Sequence, residues 1–258
     1  MARPVIAFAA IGLLTLVLLP FQIVAVRLAL PARRYIPVLY HRAICAILGV
    51  RIREVGRRAS DAALLIVANH VSWLDIPVIT ALAPTVFVAK QEVAGWPLFG
   101  LLARLQRTVF VDRARRRKTQ DVNDEIARRL GEGDAVVLFG EGTSSDGNRT
   151  LAFRSALIGA AHEALARRRA EAIRIQPLSI AYTSLHGLPL GRAHRHRVAW
   201  YGGADLLPHL TGVVRRGAID VVVSWGTPVP FDQGSDRKAV ARSLEQEVRR
   251  MTVKALRA

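Results

Sequence analysis

ALLIVANHVSWLD, residues 63–75, decides how the chain is read. Its first six residues form an unbroken apolar run of strand length, and Asn69-His70 follows at once. Five residues after the histidine comes Asp75, in a chain that has few acidic residues. On one continuous helix, five positions would set the two side chains about 140° apart, a poor arrangement for contact. If a strand ends at His70 and a helix begins near Asp75, the aspartate can fold back onto the histidine. Pro77 suits a helix start better than a helix interior, and Ser72 with Asp75 three residues on resembles a helix-start capping pattern. The stretch predicts strand, turn and helix, with His70 in the turn.

Outward from this stretch, short β-type runs alternate with helical patterns. The strand candidates are 63–68, 85–89, 108–111, 135–139, 175–182, 197–201 and 219–225; the helical stretches are near 73–83, 96–106, 114–131, 152–170 and 204–216. Alternation of this kind predicts one α/β domain with a central, largely buried sheet flanked by helices. Near the end, Val240, Leu244, Val248 and Met251 recur at helical spacing and predict an amphipathic helix over 236–258.

The N-terminus has another character. Residues 5–26 read VIAFAAIGLLTLVLLPFQIVAV, interrupted only by Thr15, Pro20 and Gln22. Roughly 20 apolar residues cross a bilayer core, but Pro20 divides the run, so a single span and a kinked, re-entrant helix both fit. Arginines stand on both sides, at Arg3 and at Arg27, Arg33 and Arg34, and leave the orientation of a crossing open. The 258 residues are 51% hydrophobic and carry a formal charge of +17, from 37 basic and 20 acidic side chains. That balance selects an anionic partner, and the apolar N-terminus points to a lipid surface. Cys45 is the only cysteine, which excludes an internal disulfide and fits a reducing compartment.

A histidine paired with a carboxylate suits general-base catalysis. The carboxylate holds one ring nitrogen and stabilises the imidazolium, while the other nitrogen takes a proton from an attacking hydroxyl. H-x-x-x-x-D is too short to carry this reading alone, and three further stretches support it. These are Thr108-Val109-Phe110-Val111-Asp112-Arg113, Phe139-Gly140-Glu141-Gly142-Thr143-Ser144-Ser145 and Ile175-Gln176-Pro177-Leu178. With Asn69, His70 and Asp75, they resemble in order the four motifs of the membrane-bound glycerolipid acyltransferase family, over about residues 35–230.

The resemblance implies a mixed α/β sheet fold with His70 and Asp75 catalytic. Asn69, Arg113, Glu141, Gly142 and Thr143 would contact the substrate, the glutamate meeting the acceptor's polar head. Together with the hydropathy and charge patterns, this gives a membrane anchor (1–30), an amphipathic basic connector (31–60), the acyltransferase domain (61–230) and a C-terminal amphipathic helix (231–258). The implied donor is an acyl thioester of acyl carrier protein or coenzyme A, and the acceptor a lysolipid, at an anionic membrane surface on the cytoplasmic face of the inner membrane. No metal or other cofactor is required.

Two positions depart from the family pattern. Gly140 replaces a proline, and Ser144 replaces an arginine found in many lysophosphatidate enzymes; Arg149 or Arg154 is near enough in sequence to substitute. EGTSSDGNR, FRSALIGAA, AYTSLHGLPLGR and PHLTGVVRRGAIDV look most like the lyso-ornithine lipid branch, with lysophosphatidate the alternative acceptor.

Rival chemistries have weaker support. Cys45 lies in the apolar stretch AICAILG, which disfavours a thiolate. Gly142-Thr143-Ser144-Ser145-Asp146 lacks the second glycine of a serine-hydrolase elbow. His186, His194 and His196 have no cysteine or carboxylate partners at ligand spacing. A nucleic-acid binder is the main reading from another class, given a pI near 11.5, but the arginines are dispersed and no nucleic-acid motif is present.

Overall fold

A computed structural model describes residues 2–60, 63–112, 119–166 and 173–257. Two long helices open the chain, α1 (Ala2–Arg27) and α2 (Ala32–Leu48), and β1 (Val50–Val55) and β2 (Ala63–Ala68) follow. Next come α3 (Asp75–Leu82), β3 (Val86–Lys90), α4 (Gln91–Ala94), α5 (Phe99–Leu105) and β4 (Val109–Val111). The middle of the chain forms α6 (Thr119–Gly131), β5 (Val136–Phe139) and a 3-10 turn at Ser155–Ile158 that leads into α7 (Gly159–Ala166). After β6 (Ile173–Leu185) and β7 (Leu188–Pro189), a second 3-10 turn spans Arg192–Arg197. The last elements are α8 (Leu206–Arg216), β8 (Ile219–Trp225), β9 (Val229–Phe231) and α9 (Arg237–Arg257).

The strands form one mixed sheet in the order β1-β8-β6-β2-β5-β3-β4, with β7 and β9 also paired to β6. The central strands β6, β2, β5 and β3 run parallel, whereas β8 runs against β6. Side chains alternate between faces along each strand. Leu64, Ile66 and Ala68 face a core shared with α1, α2, α3 and α8; Leu65 and Val67 face a core shared with α6, α7 and α9. The parallel strands β2 and β5 end side by side, with Ala68 paired to Phe139. Their carboxyl ends share one pole of the sheet, the place where open α/β sheets hold ligands.

The polar residues that interrupt the N-terminal apolar run have a definite use. Thr15 and Gln22 are buried on the face of α1 that packs on the body of the protein. The Thr15 hydroxyl lies 2.9 Å from the Tyr40 hydroxyl, and the Gln22 amide donates to the carbonyls of Arg33 and Leu105 at 3.1 and 2.8 Å. At the other end, Arg3 donates to the carbonyls of Leu48 and Arg215. The helix runs unbroken through Pro20 and is docked along one face, while Val5, Ile6, Leu13, Leu16, Val17, Phe21 and Val24 stay exposed. Such an apolar stripe on the surface marks a lipid-facing or partner-facing side.

Three local expectations differ from the structure. Residues 197–201 are not a strand: Val198 and Ala199 are buried in an irregular segment, and the Trp200 N–H donates to the Val71 carbonyl. Their β-type composition reflects burial without a neighbouring strand to pair with. The stretch 31–60 is a helix followed by an edge strand, because the left-handed Gly49 stops α2 and lets β1 pair with β8. Ser72 does not cap α3; the Asp75 carboxylate instead accepts from the Val71 and Ser72 N–H groups.

Candidate active site

His70 lies in the turn leaving β2, and Asp75 opens α3. The His70 Nδ1 is 2.8 Å from the Asp75 Oδ2. That oxygen also accepts from the N–H groups of Val71 (2.7 Å) and Ser72 (3.0 Å), and Oδ1 accepts from the Tyr182 hydroxyl (2.7 Å). These three donors converge on a side chain with no exposed surface, so its oxygens act as acceptors toward His70 as well. The proton of neutral His70 therefore sits on Nδ1, which leaves Nε2 with a lone pair. The imidazole side chain is 18% exposed, so the ring is not sealed inside the protein. Phe139, at the end of β5, stacks on the ring with centroids 3.9 Å apart and fixes its plane.

Glu141 takes a position the sequence did not reveal. It is 2% exposed, and its two oxygens accept from the backbone N–H groups of His70 (3.0 Å) and Leu151 (2.8 Å). Both oxygens are thus held by the protein's own backbone, with no polar head needed as partner. Burial pushes its carboxyl up to about 7, against the pull of the two N–H donors. The next loop continues the grip: the Ser145 N–H and hydroxyl both donate to the His70 carbonyl.

Asn69 is 2% exposed, and its amide pairs at both ends with Ile180, donating to the carbonyl at 2.9 Å and accepting from the N–H at 2.8 Å. The amide continues the β2–β6 ladder one step beyond the last backbone pair and sets where the turn begins. Gly142 has a left-handed backbone, φ 67°, and the Arg154 side chain lies against its Cα; Thr143 beside it is exposed. Of the two arginines near enough in sequence to replace the one absent at Ser144, Arg154 is the one beside this turn. Gly140 has a steric reason as well: a Cβ there would stand 2.7 Å from the Phe153 ring. Arg113 lies outside the described residues.

Tyr182 is the residue that reading the sequence missed. It is buried, and burial together with the nearby Asp75 charge holds its phenol well above the usual range, so the hydroxyl remains a donor. A signal did exist: position 182 shares the inward face of β6 with Leu178 and Ile180, and a buried tyrosine needs a polar partner. Nothing local named that partner. Cys45 is buried, and its thiol is pushed up to about 12, far from a nucleophile. Among the described residues, no group of three or more His, Cys, Asp or Glu side chains could hold a metal ion.

Known proteins share much of this chain's sequence, and its fold. Residues 49–181 match the family model described as Acyltransferase. The chain is 48% identical over 254 residues to a lyso-ornithine lipid O-acyltransferase of Brucella abortus, covering 98% of this chain and 95% of that one. It is 47% identical to the protein of the same description from Rhizobium meliloti, over 95% and 84% of the two chains. The crystal structure of the 1-acyl-sn-glycerophosphate acyltransferase of Thermotoga maritima superposes with a TM-score of 0.67 at 21% identity, over 98% of this chain and 95% of that one, and so shares the fold. With its mixed sheet and a paired His70 and Asp75 at the carboxyl end of β2, this chain belongs to the acyltransferase family.

Proposed function

We propose that the protein transfers a fatty acyl group from an acyl thioester to the free hydroxyl of a lysolipid, with lyso-ornithine lipid as acceptor. The observation that carries this reading is the 2.8 Å contact between His70 Nδ1 and a fully buried Asp75. His70 Nε2 removes the hydroxyl proton as the oxygen attacks the thioester carbon. The C–O bond forms, the C–S bond breaks, and the proton passes from the imidazolium to the departing thiolate. Asp75 steadies the imidazolium during this exchange. Glu141 and Asn69 act as positioning residues, the first holding the His70 backbone and the second the turn. Arg113, Gly142 and Thr143 bind the acceptor in this reading, and Arg154 supplies a cation beside Gly142.

The relatives from Brucella abortus and Rhizobium meliloti support the acceptor, as does Ser144 where many lysophosphatidate enzymes have arginine. An amino-acid headgroup carries a carboxylate in place of a phosphate, and one arginine can bind it bidentately. The donor is carried by acyl carrier protein or coenzyme A, and a chain of charge +17 attracts either anion. The exposed face of α1 lies in one leaflet, on the cytoplasmic side of the inner membrane, with the mouth of the site near the headgroups.

The test offers purified protein a labelled acyl thioester with lyso-ornithine lipid and lysophosphatidate side by side. Acylation of the first at least tenfold faster supports the acceptor; the reverse preference replaces it. His70→Ala should remove about 10²–10⁴-fold of the rate and leave vesicle binding intact. Undiminished transfer by that variant would end the general-base assignment.

A further inference from the structure

The pole of the sheet opposite His70 holds a cationic cavity whose lining includes neither His70 nor Asp75. Its volume is about 370 Å³, and it lies where the α1–α2 turn meets the amino ends of β3 and β5. Arg33 and Arg34 reach it from the start of α2, Arg58 from the loop after β1, Thr85 from just before β3, and Arg107 and Asp134 from the segments before β4 and β5. Two of these cations are accounted for. Arg34 pairs with Asp134 at 2.9 Å, and Arg107 pairs with Asp134 at 2.5 Å and with Glu132.

Arg33 and Arg58 meet no carboxylate among the described residues. Among the described residues, the Arg58 Nε and the Thr85 hydroxyl are buried without a hydrogen-bond partner, and Thr85 as a whole is 7% exposed. Unpaired polar groups of this kind are costly in a protein interior. One anion with several oxygens would satisfy both donors and the two spare guanidinium groups together, and the planar fork of arginine matches phosphate. Beside the cavity, Leu28 and Leu30 of the α1–α2 turn are exposed, so its rim continues the apolar stripe of α1. The six residues of β2 separate it from His70, roughly 20 Å of strand.

We propose that this cavity binds the phosphate of a bilayer phospholipid and holds the carboxyl end of α1 at the headgroup layer, apart from catalysis. The proposal rests on the reading of α1 as a helix lying in one leaflet. The thermal midpoint of the full chain in neutral detergent tests it. Additions are phosphatidylglycerol, diacylglycerol with the same tails, or inorganic phosphate. Phosphatidylglycerol should raise the Tm by about 3 °C near tenfold saturation, and diacylglycerol and inorganic phosphate should not.

The rise should vanish in Arg33→Gln/Arg58→Gln. It should persist in Arg215→Gln/Arg216→Gln, which loses the same charge at the other end of α1. Acyl transfer by Arg33→Gln/Arg58→Gln should stay within twofold of wild type. If that variant does not fold, Arg58→Lys keeps the charge without the fork and should lose at least half of the rise.

An equal rise in all three proteins, or none in the wild type, overturns the proposal. A full rise with inorganic phosphate alone makes this a soluble-phosphate site and overturns the lipid. Flotation on phosphatidylcholine vesicles reads α1 separately. A wild-type chain that stays in solution removes the leaflet reading and this proposal with it, whereas a floating chain without the phosphatidylglycerol rise removes this proposal alone.

Discussion

Asp75 and Glu141 are both buried carboxylates, both accept backbone N–H groups, and both touch His70, yet they hold different parts of it. Asp75 meets the imidazole and lies five residues away in the chain. Glu141 meets the main chain of His70 and comes from a loop 71 residues later. The first controls which ring nitrogen carries the proton, a chemical property. The second controls where the turn stands relative to the 141–151 loop, a geometric one. Two carboxylates in similar surroundings therefore predict different losses when each is made neutral.

The largest loss belongs to Asp75→Asn. An amide in that place can donate to Nδ1 and turn the imidazole into the wrong tautomer, so kcat should fall about 10³–10⁴-fold with little change in KM. A fall of less than tenfold in acyl-transfer kinetics would remove the difference between the two carboxylates. Glu141→Gln should mainly cost stability, because one oxygen cannot accept from both His70 and Leu151. A buried N–H without its acceptor costs about 1–3 kcal/mol. For a chain of this size that lowers the Tm by about 5 °C, with kcat down about tenfold as the turn loosens.

The pH dependence of stability sharpens the same contrast. The Glu141 carboxyl is raised in the fold from its ordinary 4.5 to about 7, burial being the cause. Its stabilising contribution is fully present below about pH 4.5 and is lost as the pH rises to and through about 7. Thermal melts from pH 5 to 8 should show that decline in the wild type and a flatter profile in Glu141→Gln. The smallest effect is expected from Tyr182→Phe, which removes one of four donors to Asp75 and leaves the imidazole contact in place. A fall in kcat of about fivefold at constant KM, with the Tm little changed, would mark Tyr182 as positioning the carboxylate. A large Tm loss at unchanged kcat would make its role structural.

Much of the site was legible because its central contact is local. The apolar run, the turn and Pro77 together set His70 and Asp75 within reach, and Phe139-Gly140-Glu141 closed a second strand at the same end of the sheet. The roles were less legible than the positions. Glu141 looked like a group aimed at a ligand and is held by two backbone N–H groups instead. Asn69 looked like a substrate contact and extends a strand ladder to Ile180. Val198 and Ala199 looked like strand because burial selects the same apolar residues that strands do.

What the amino-acid order determined alone was the alternation of elements, the apolar N-terminal helix as a separate kind of segment, and a histidine and an aspartate close enough to meet. These follow from periodicity and turn chemistry, which act over a few neighbouring residues. Only the tertiary structure decided that Tyr182 holds the outer oxygen of Asp75, that Glu141 takes the His70 N–H, and that Thr15 and Gln22 bind α1 to the body. Each of those contacts joins residues from 11 to 107 positions apart. Strand order and helix docking bring such partners together, and no local pattern in the chain records which distant group will arrive.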